Sequence, residues 1–84
     1  MAYALTILKR AQKELASLPK EDYQRVRDAI VKLADTPRPD GTLKMTGRPA
    51  WRIRVGDYRV IYEIDDDKAV ISVIHIGHRS DVYR

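Results

Sequence analysis

Residues 51–64, with the sequence WRIRVGDYRVIYEI, constrain the fold more than any other part of this chain. Two runs of alternating side chains flank Gly56-Asp57, and a short glycine-containing pair between such runs is typical of a two-residue β-hairpin turn. This turn would set Val55 opposite Tyr58 and Arg54 opposite Arg59. The segment therefore predicts a hairpin whose register is fixed by its own sequence.

The two faces of the predicted hairpin differ chemically, because successive side chains of a strand point to opposite faces. The apolar face carries Trp51, Ile53, Val55, Tyr58, Val60 and Tyr62. The basic face carries Arg52, Arg54 and Arg59, together with Ile61 and Glu63. Like charges directly opposite each other destabilise a sheet by a few tenths of a kcal/mol or more. Since folding gains nothing from this pairing, the hairpin predicts a surface that binds a polyanion.

Composition limits the class of protein. The chain has 84 residues, which is one domain, and contains no cysteine for disulfide or thiolate chemistry. No apolar run approaches the roughly 18 residues of a transmembrane helix. The N-terminal sequence lacks the basic stretch and the cleavage site of a signal peptide. We therefore expect a single domain over residues 1–84 that resides in the cytoplasm.

Positive charge is concentrated in one segment. The net charge is +4, and between residues 44 and 59 Asp57 is the single acid. The basic residues of this segment are Lys44, Arg48, Arg52, Arg54 and Arg59. Clustered positive charge favours an anionic partner and speeds the encounter with it. A solvated, soluble face is the alternative interpretation of the same pattern.

The order of patterns along the chain predicts an α+β fold with two layers. Residues 2–8 have the pattern of a strand, and residues 9–35 have apolar spacings of three and four that predict a helical hairpin with a break near Pro19. Residues 36–50 are rich in proline and glycine and predict a loop. The order β-α-α-β-β-β gives a mainly antiparallel four-stranded sheet, with the helices packed on the apolar face of the hairpin and the basic face left open as a shallow groove.

Residues 69–76 predict the last long strand, which Gly77 would end. Ile71, Val73 and His75 would share one face of it, with His75 as a structural histidine hydrogen-bonded near the edge of the core. The preceding residues 65–68 predict a turn. A metal site is disfavoured there, because three successive acids lack the alternating ligand spacing of a calcium loop. No metal and no cofactor are expected.

The residues after this strand add groups that can transfer protons. Arginine binds phosphate in a bidentate manner and stays protonated, whereas histidine and tyrosine can move protons. These groups suffice for RNA cleavage without a metal, in which a 2′-hydroxyl attacks the adjacent phosphate. The candidates in the C-terminal segment are His78, Arg79 and Tyr83.

The second half of the chain resembles the RelE/ParE superfamily of bacterial toxins from type II toxin–antitoxin modules. The resemblance lies in LKMTGRPAWRIRVGDYRVIYEI and in VISVIHIGHRSDVY, and the opening AYALTILKRAQKELASLP also fits. For the RelE-like branch it implies an endoribonuclease that cuts mRNA in the ribosomal A site. It assigns catalytic roles to Arg52, Arg54, Arg59, Arg79 and Tyr83, and we expect RNA contacts from Lys44, Arg48 and His78.

The resemblance leaves the proton acceptor open, because some relatives carry lysines at the positions of Arg52 and Arg54 and arginine does not deprotonate usefully. His78, Tyr83 or a ribosomal group would serve instead. A ParE-like inhibitor of DNA gyrase without enzymatic activity, or an inactive binding module, is the alternative function. Either toxin function implies a small cognate antitoxin, RelB-like or of another family, that covers the basic groove with acidic residues or displaces the C-terminal segment.

Overall fold

A computed structural model describes residues 2–78 of the chain. These residues form two helices and one five-stranded sheet. In chain order the elements are β1 (Ala4–Ile7), α1 (Lys9–Ala16), α2 (Lys20–Leu33), β2 (Leu43–Lys44), β3 (Ala50–Val55), β4 (Tyr58–Asp65) and β5 (Val70–His78). Neither helix is long and apolar enough to cross a membrane.

The helices form where apolar residues recur with helical spacing. In α1, Ala11 and Leu15 are buried, and in α2 the buried residues are Val26, Ile30 and Leu33. Side chains three or four residues apart lie on one side of a helix, so each helix presents one apolar stripe. Pro19 caps the start of α2, so the predicted helical hairpin is confirmed with its break at the expected position.

The sheet has the strand order β1-β5-β4-β3-β2, with β1 parallel to β5 and the other pairs antiparallel. The predicted α+β class is confirmed, and the prediction of four strands is wrong in one detail. Leu43 and Lys44, which were predicted to lie in a loop, form β2 and pair with Arg52 and Trp51. A two-residue strand is too short to give an alternation signal in the sequence, and it exists because β3 offers an unpaired edge.

One helix-packed face of the sheet holds the core. Ile53, Val60 and Tyr62 of the hairpin are buried in the same cluster as the apolar stripes of α1 and α2. Ile71, Val73 and Ile76 of β5 complete this cluster. The prediction that the helices cover the apolar face of the hairpin is therefore confirmed, and the opposite face of the sheet is turned away from the helices.

The last strand differs from the prediction at two points. It continues through Gly77 to His78, because Gly77 pairs with Arg59 and His78 pairs with Tyr58. It also contains a β-bulge, since Ile61 pairs with His75 whereas the next residue, Tyr62, pairs with Val73. The additional residue, Ile74, reverses the alternation of side chains beyond it. The bulge places Ile76 in the core with Ile71 and Val73, which period-two alternation would not allow.

The segment between α2 and β2 is tied to the sheet. The Tyr62 hydroxyl donates a hydrogen bond of 2.7 Å to the Pro37 carbonyl. The Arg38 guanidinium lies 4.8 Å from the centroid of the Trp51 ring and donates a hydrogen bond of 2.9 Å to Asp66, which also accepts one from the Tyr3 hydroxyl. These contacts fix the position from which the chain enters β2.

Candidate functional site

The hairpin of β3 and β4 places three arginines on the face of the sheet that is turned away from the helices. Arg54 is directly opposite Arg59, and Arg52 is opposite Ile61, as the alternation in the sequence predicted. Gly56 has a φ of 59°, whereas Asp57 has no positive φ, which corresponds to a type II′ turn. This turn matches the twist of the strands, so a short local sequence fixes where the guanidinium groups lie. We call this surface, which carries Arg52, Arg54 and Arg59, the arginine face.

The three arginines line one cleft of about 180 Å³ on the arginine face. Its lining residues are Gly41, Leu43, Arg52, Ile53, Arg54 and Arg59. Arg54 is exposed and its Nε donates a hydrogen bond of 3.2 Å to the Gly56 carbonyl. Arg59 is only 8% exposed. The cleft therefore has an exposed guanidinium, that of Arg54, at its rim and a shielded guanidinium, that of Arg59, inside.

The arginine face is less open than the sequence predicted. A shallow solvated groove was expected, but Arg59 and Ile61 are 8% and 6% exposed. Both residues belong to β4, which has a neighbouring strand on each side. Charge attraction is stronger at a position shielded from water than in bulk solvent. An anion that reaches Arg59 is therefore held more firmly than one bound by a surface arginine.

His78 is not brought together with the arginines. It pairs with Tyr58 on the helix-packed side of the sheet, where the two rings meet edge to face with centroids 5.6 Å apart. The Tyr58 hydroxyl donates a hydrogen bond of 3.1 Å to Asp22 of α2, and partial burial together with this bond raises the pKa of Tyr58. The bulge at Ile74 is the cause, because it moves every later side chain of β5 to the other face.

The structure also places Lys44 and Arg48 away from the cleft. Lys44 is opposite Trp51, and its ammonium group lies 5.8 Å from the centroid of the Trp51 ring on the helix-packed side. Arg48 is exposed in the turn between β2 and β3. Arg79 and Tyr83 lie outside the described residues, so their predicted roles stay predictions. Of the predicted site residues, the structure brings together Arg52, Arg54 and Arg59.

Sequence reasoning missed the part of the cleft that comes from Gly41 and Leu43. Leu43 is opposite Arg52 and 53% exposed, so it presents an apolar side chain next to a guanidinium. Gly41 has a φ of 88°, a backbone conformation that favours glycine. The single sequence signal was the pair Asp40-Gly41, which marks a turn before Leu43.

The described residues of the cleft can bind and stabilise an anion, but none of them can transfer a proton. Guanidinium groups stay protonated in proteins and match the geometry of phosphate oxygens in pairs. Among residues 2–78, the other residues that line the cleft are glycine, leucine and isoleucine, none of which has a titratable side chain. The arrangement is therefore suited to a phosphate on which negative charge builds up.

Comparison with known proteins places the chain in a family. The sequence model described as "ParE toxin of type II toxin-antitoxin system, parDE" matches residues 4–83. The mRNA interferase toxin RelE of Escherichia coli (strain K12) is 33% identical over 99% of this chain and 92% of the relative. The toxin RelG of Mycobacterium tuberculosis is 30% identical over 100% of this chain and 99% of the relative.

Solved structures agree with these relationships. The toxin in the archaeal RelE–RelB complex from Pyrococcus horikoshii has a TM-score of 0.81 and 35% identity, with 94% of this chain and 97% of that chain covered. Fold, length and sequence thus point to the same group of proteins. The chain therefore belongs to the RelE/ParE superfamily of toxins from type II toxin–antitoxin systems.

Proposed function

We propose that this protein is the toxin of a toxin–antitoxin pair and acts as a ribosome-dependent mRNA endonuclease. The observation that carries the proposal is the convergence of Arg52, Arg54 and Arg59 on one cleft of a rigid sheet face. The relative that is 33% identical is named an mRNA interferase, which supports the same activity here. Such an activity would stop translation by destroying the message on the ribosome.

The reaction that suits the cleft is cleavage by the RNA itself. The 2′-hydroxyl gives up its proton and its oxygen attacks the adjacent phosphorus, while the bond to the 5′-oxygen breaks. The leaving 5′-oxygen takes up a proton, and a 2′,3′-cyclic phosphate remains. Negative charge builds up on the phosphate oxygens in the transition state. Arg59, with Arg52 and Arg54, would stabilise that charge, and donors already in place for developing charge supply much of the rate in such reactions.

The proton acceptor for the 2′-hydroxyl is not among the described residues that line the cleft. His78 is on the helix-packed side of the sheet, opposite to the arginine face, which disfavours it. Arginine does not release its proton near neutral pH. We therefore assign proton transfer, together with a further stabilising contact from Arg79, to the C-terminal segment that carries Tyr83, or to a group of the ribosome.

A cognate antitoxin of the RelB type is the proposed regulatory partner. The Pyrococcus horikoshii toxin was solved as a complex with its RelB. The arginine face is cationic, and the chain as a whole carries a net charge of +4. Electrostatic complementarity favours a partner that presents acidic side chains to this surface.

Cleavage of mRNA on translating ribosomes tests the proposed activity. The wild-type protein should cut A-site mRNA, and Arg59→Gln should lower the rate by roughly 10²–10³, the effect of losing one donor to developing charge. Arg79→Ala and Tyr83→Phe test the C-terminal assignments in the same assay. Arg27→Gln, a change to an exposed arginine of α2, is the matched control and should retain full activity. Intact mRNA after incubation with the wild type would refute the proposal.

Inhibition of DNA gyrase is the second candidate function, favoured by the match to the ParE toxin family. A gyrase inhibitor that cuts no RNA has no evident need for three converging guanidinium groups. Supercoiling by gyrase in the presence of the protein separates the two functions. Inhibition of supercoiling without cleavage of ribosome-bound mRNA would establish this function in place of the nuclease.

A further inference from the structure

An exposed leucine lies beside the arginines on the arginine face. Leu8, Val31 and Leu43 are large apolar residues of the described part of the chain with exposures of 44%, 56% and 53%. Single exposed apolar residues are common and need no explanation. Leu43 differs from the other two because it lines the cleft that also contains Arg52, Arg54 and Arg59.

The strand register fixes how close Leu43 is to the guanidinium-bearing residues. It is directly opposite Arg52, and the Cβ atoms of such a pair are roughly 4.5–5.5 Å apart. Arg54 is its diagonal neighbour on the same face, at roughly 7–8 Å. The distance from Leu43 to a phosphate bound by these two arginines is therefore similar to the distance between the base and the phosphate of one nucleotide.

A nucleotide combines the two chemistries that this corner of the cleft offers. Its phosphate requires cationic donors, whereas the flat face of its base is apolar and packs against hydrocarbon or aromatic side chains. We propose that Leu43 is a base-positioning residue: its side chain packs against the face of the nucleobase whose phosphate Arg52 and Arg54 hold. This inference rests on the proposed function, because it takes the anion in the cleft to be RNA.

The proposal predicts how the contact discriminates. A leucine side chain has no hydrogen-bond donor or acceptor, so it orients a base without reading the edge that distinguishes one base from another. Purines offer a larger apolar area than pyrimidines and should bind more tightly. Leu43 would thus contribute positioning of the scissile phosphate and a preference for purines, without a strict sequence requirement.

Two oligonucleotides of equal charge test the inference. The probes are a 2′-O-methyl adenine trinucleotide, which cannot undergo 2′-hydroxyl attack, and the same backbone with abasic sugars. NMR titration should show the Leu43 methyl groups shifted by the adenine probe alone. Leu43→Ser should weaken the adenine probe by about fivefold, because the apolar area that the leucine buries against the base is lost, and leave the abasic probe unchanged. Arg52→Gln should weaken both probes.

The control variant is Val31→Ser, the same kind of change at an equally exposed position on α2. It should alter neither affinity, and Leu43→Phe should restore or strengthen binding of the adenine probe. Equal affinities of the wild type for the two probes, or no measurable binding of either, would overturn the inference. The inference would also be overturned if Leu43→Ser kept its affinity for the adenine probe but lost affinity for the antitoxin.

The outcomes also separate this inference from the proposed function. If Leu43-dependent binding of the adenine probe occurs but ribosome-bound mRNA stays intact, the base-positioning role stands and the nuclease fails. If mRNA is cut by the wild type and by Leu43→Ser at the same rate and with the same purine preference, the nuclease stands and the role of Leu43 fails.

Discussion

Arg54 and Arg59 face each other directly across the β3–β4 hairpin. Two cations in such a pair repel, and a residue that destabilises the folded state is common where a protein binds its target. Arg59 is also the more buried of the two, which increases the energetic cost of its charge. At the scale of single residues, the paired arginines therefore indicate a binding site whose side chains reduce the stability of the fold.

We expect this repulsion to appear in a double-mutant cycle of Arg54→Gln, Arg59→Gln and the double variant. The cycle cancels the loss of the Arg54 hydrogen bond to Gly56, so it isolates the interaction energy between Arg54 and Arg59. The coupling should be unfavourable by a few tenths of a kcal/mol and should shrink as salt rises. Urea unfolding at two salt concentrations measures it.

The control cycle pairs Arg59→Gln with Arg27→Gln, because Arg27 is on α2 and contacts Asp28. Distant sites should be additive within about 0.3–0.5 kcal/mol. A favourable coupling between Arg54 and Arg59 at low salt would show that the two arginines do not repel.

At the scale of elements, β5 depends on α1 for the completion of its edge. β1 pairs with β5 only as far as Val73, so within residues 2–78 the backbone beyond that point has no neighbouring strand on this side. The Glu14 carboxylate of α1 accepts a hydrogen bond of 2.9 Å from the Ile76 N–H and contacts His75 Nδ1 at 2.8 Å. His75 is hydrogen-bonded near the edge of the core, as predicted, but the bulge separates it from the face that carries Ile71 and Val73, so the prediction that these three residues share a face is wrong.

Replacement of Glu14 by alanine should destabilise the protein by about 1–3 kcal/mol, because it leaves a partly buried backbone N–H without its acceptor. Urea unfolding gives the free energy, and hydrogen exchange should show loss of protection at the Ile76 amide. Glu21→Ala, which removes an exposed carboxylate from the first turn of α2, is the control. Unchanged exchange at Ile76 would contradict the role of Glu14.

The stability of the protein depends on pH through an ion pair. Arg38, in the segment between α2 and β2, contacts Asp66 in the turn between β4 and β5. The hydrogen bond from Arg38, followed by that from Tyr3, lowers the pKa of Asp66 in the folded protein. The carboxylate is then more acidic when folded than when unfolded. Its stabilising effect is fully present above the unfolded pKa of about 3.9 and is lost as the pH falls through the folded value.

Asp66→Asn should therefore make the acid-side decrease in stability shallower than in the wild type. Urea unfolding between pH 5 and pH 2 measures the two profiles. Asp67→Asn, which changes the next carboxylate of the same exposed turn, is the matched control and should follow the wild type. Identical profiles for Asp66→Asn and the wild type would contradict the contribution of this ion pair.

At the scale of the whole molecule, the sheet separates two tasks. One face packs against both helices and holds the core, whereas the other carries the arginines. Substitution of the exposed Arg54 should therefore change binding more than it changes folding. This separation also means that a partner can neutralise the arginine face without disturbing the core.

The affinity for the antitoxin should fall as salt rises, because an acidic cover on a cationic face is screened by ions. Isothermal titration calorimetry at increasing salt concentrations measures this dependence. The variant with Arg52, Arg54 and Arg59 all changed to glutamine should bind more weakly at low salt and show a smaller salt response. A response as flat in the wild type as in this variant would rule out the electrostatic cover and favour displacement of the C-terminal segment.

The sequence by itself determined the hairpin, its register and the chemistry of its two faces. Turn residues and period-two alternation act over neighbouring residues, so their effect can be read without knowledge of the rest of the chain. The apolar stripes of α1 and α2 also follow from residues that are close in the sequence. These local patterns are sufficient to place Arg52, Arg54 and Arg59 on one face of the hairpin.

Only the tertiary structure decided what surrounds those arginines. The pairing of β2 with β3 brings Leu43 to Arg52, and the bulge at Ile74 turns His78 away from the arginine face. Both features depend on contacts between strands that are distant in sequence, and a two-residue strand or a single inserted residue leaves no periodic signal of its own. Hydrogen bonds to neighbouring strands stabilise both features. Those strands come together only when the whole chain folds.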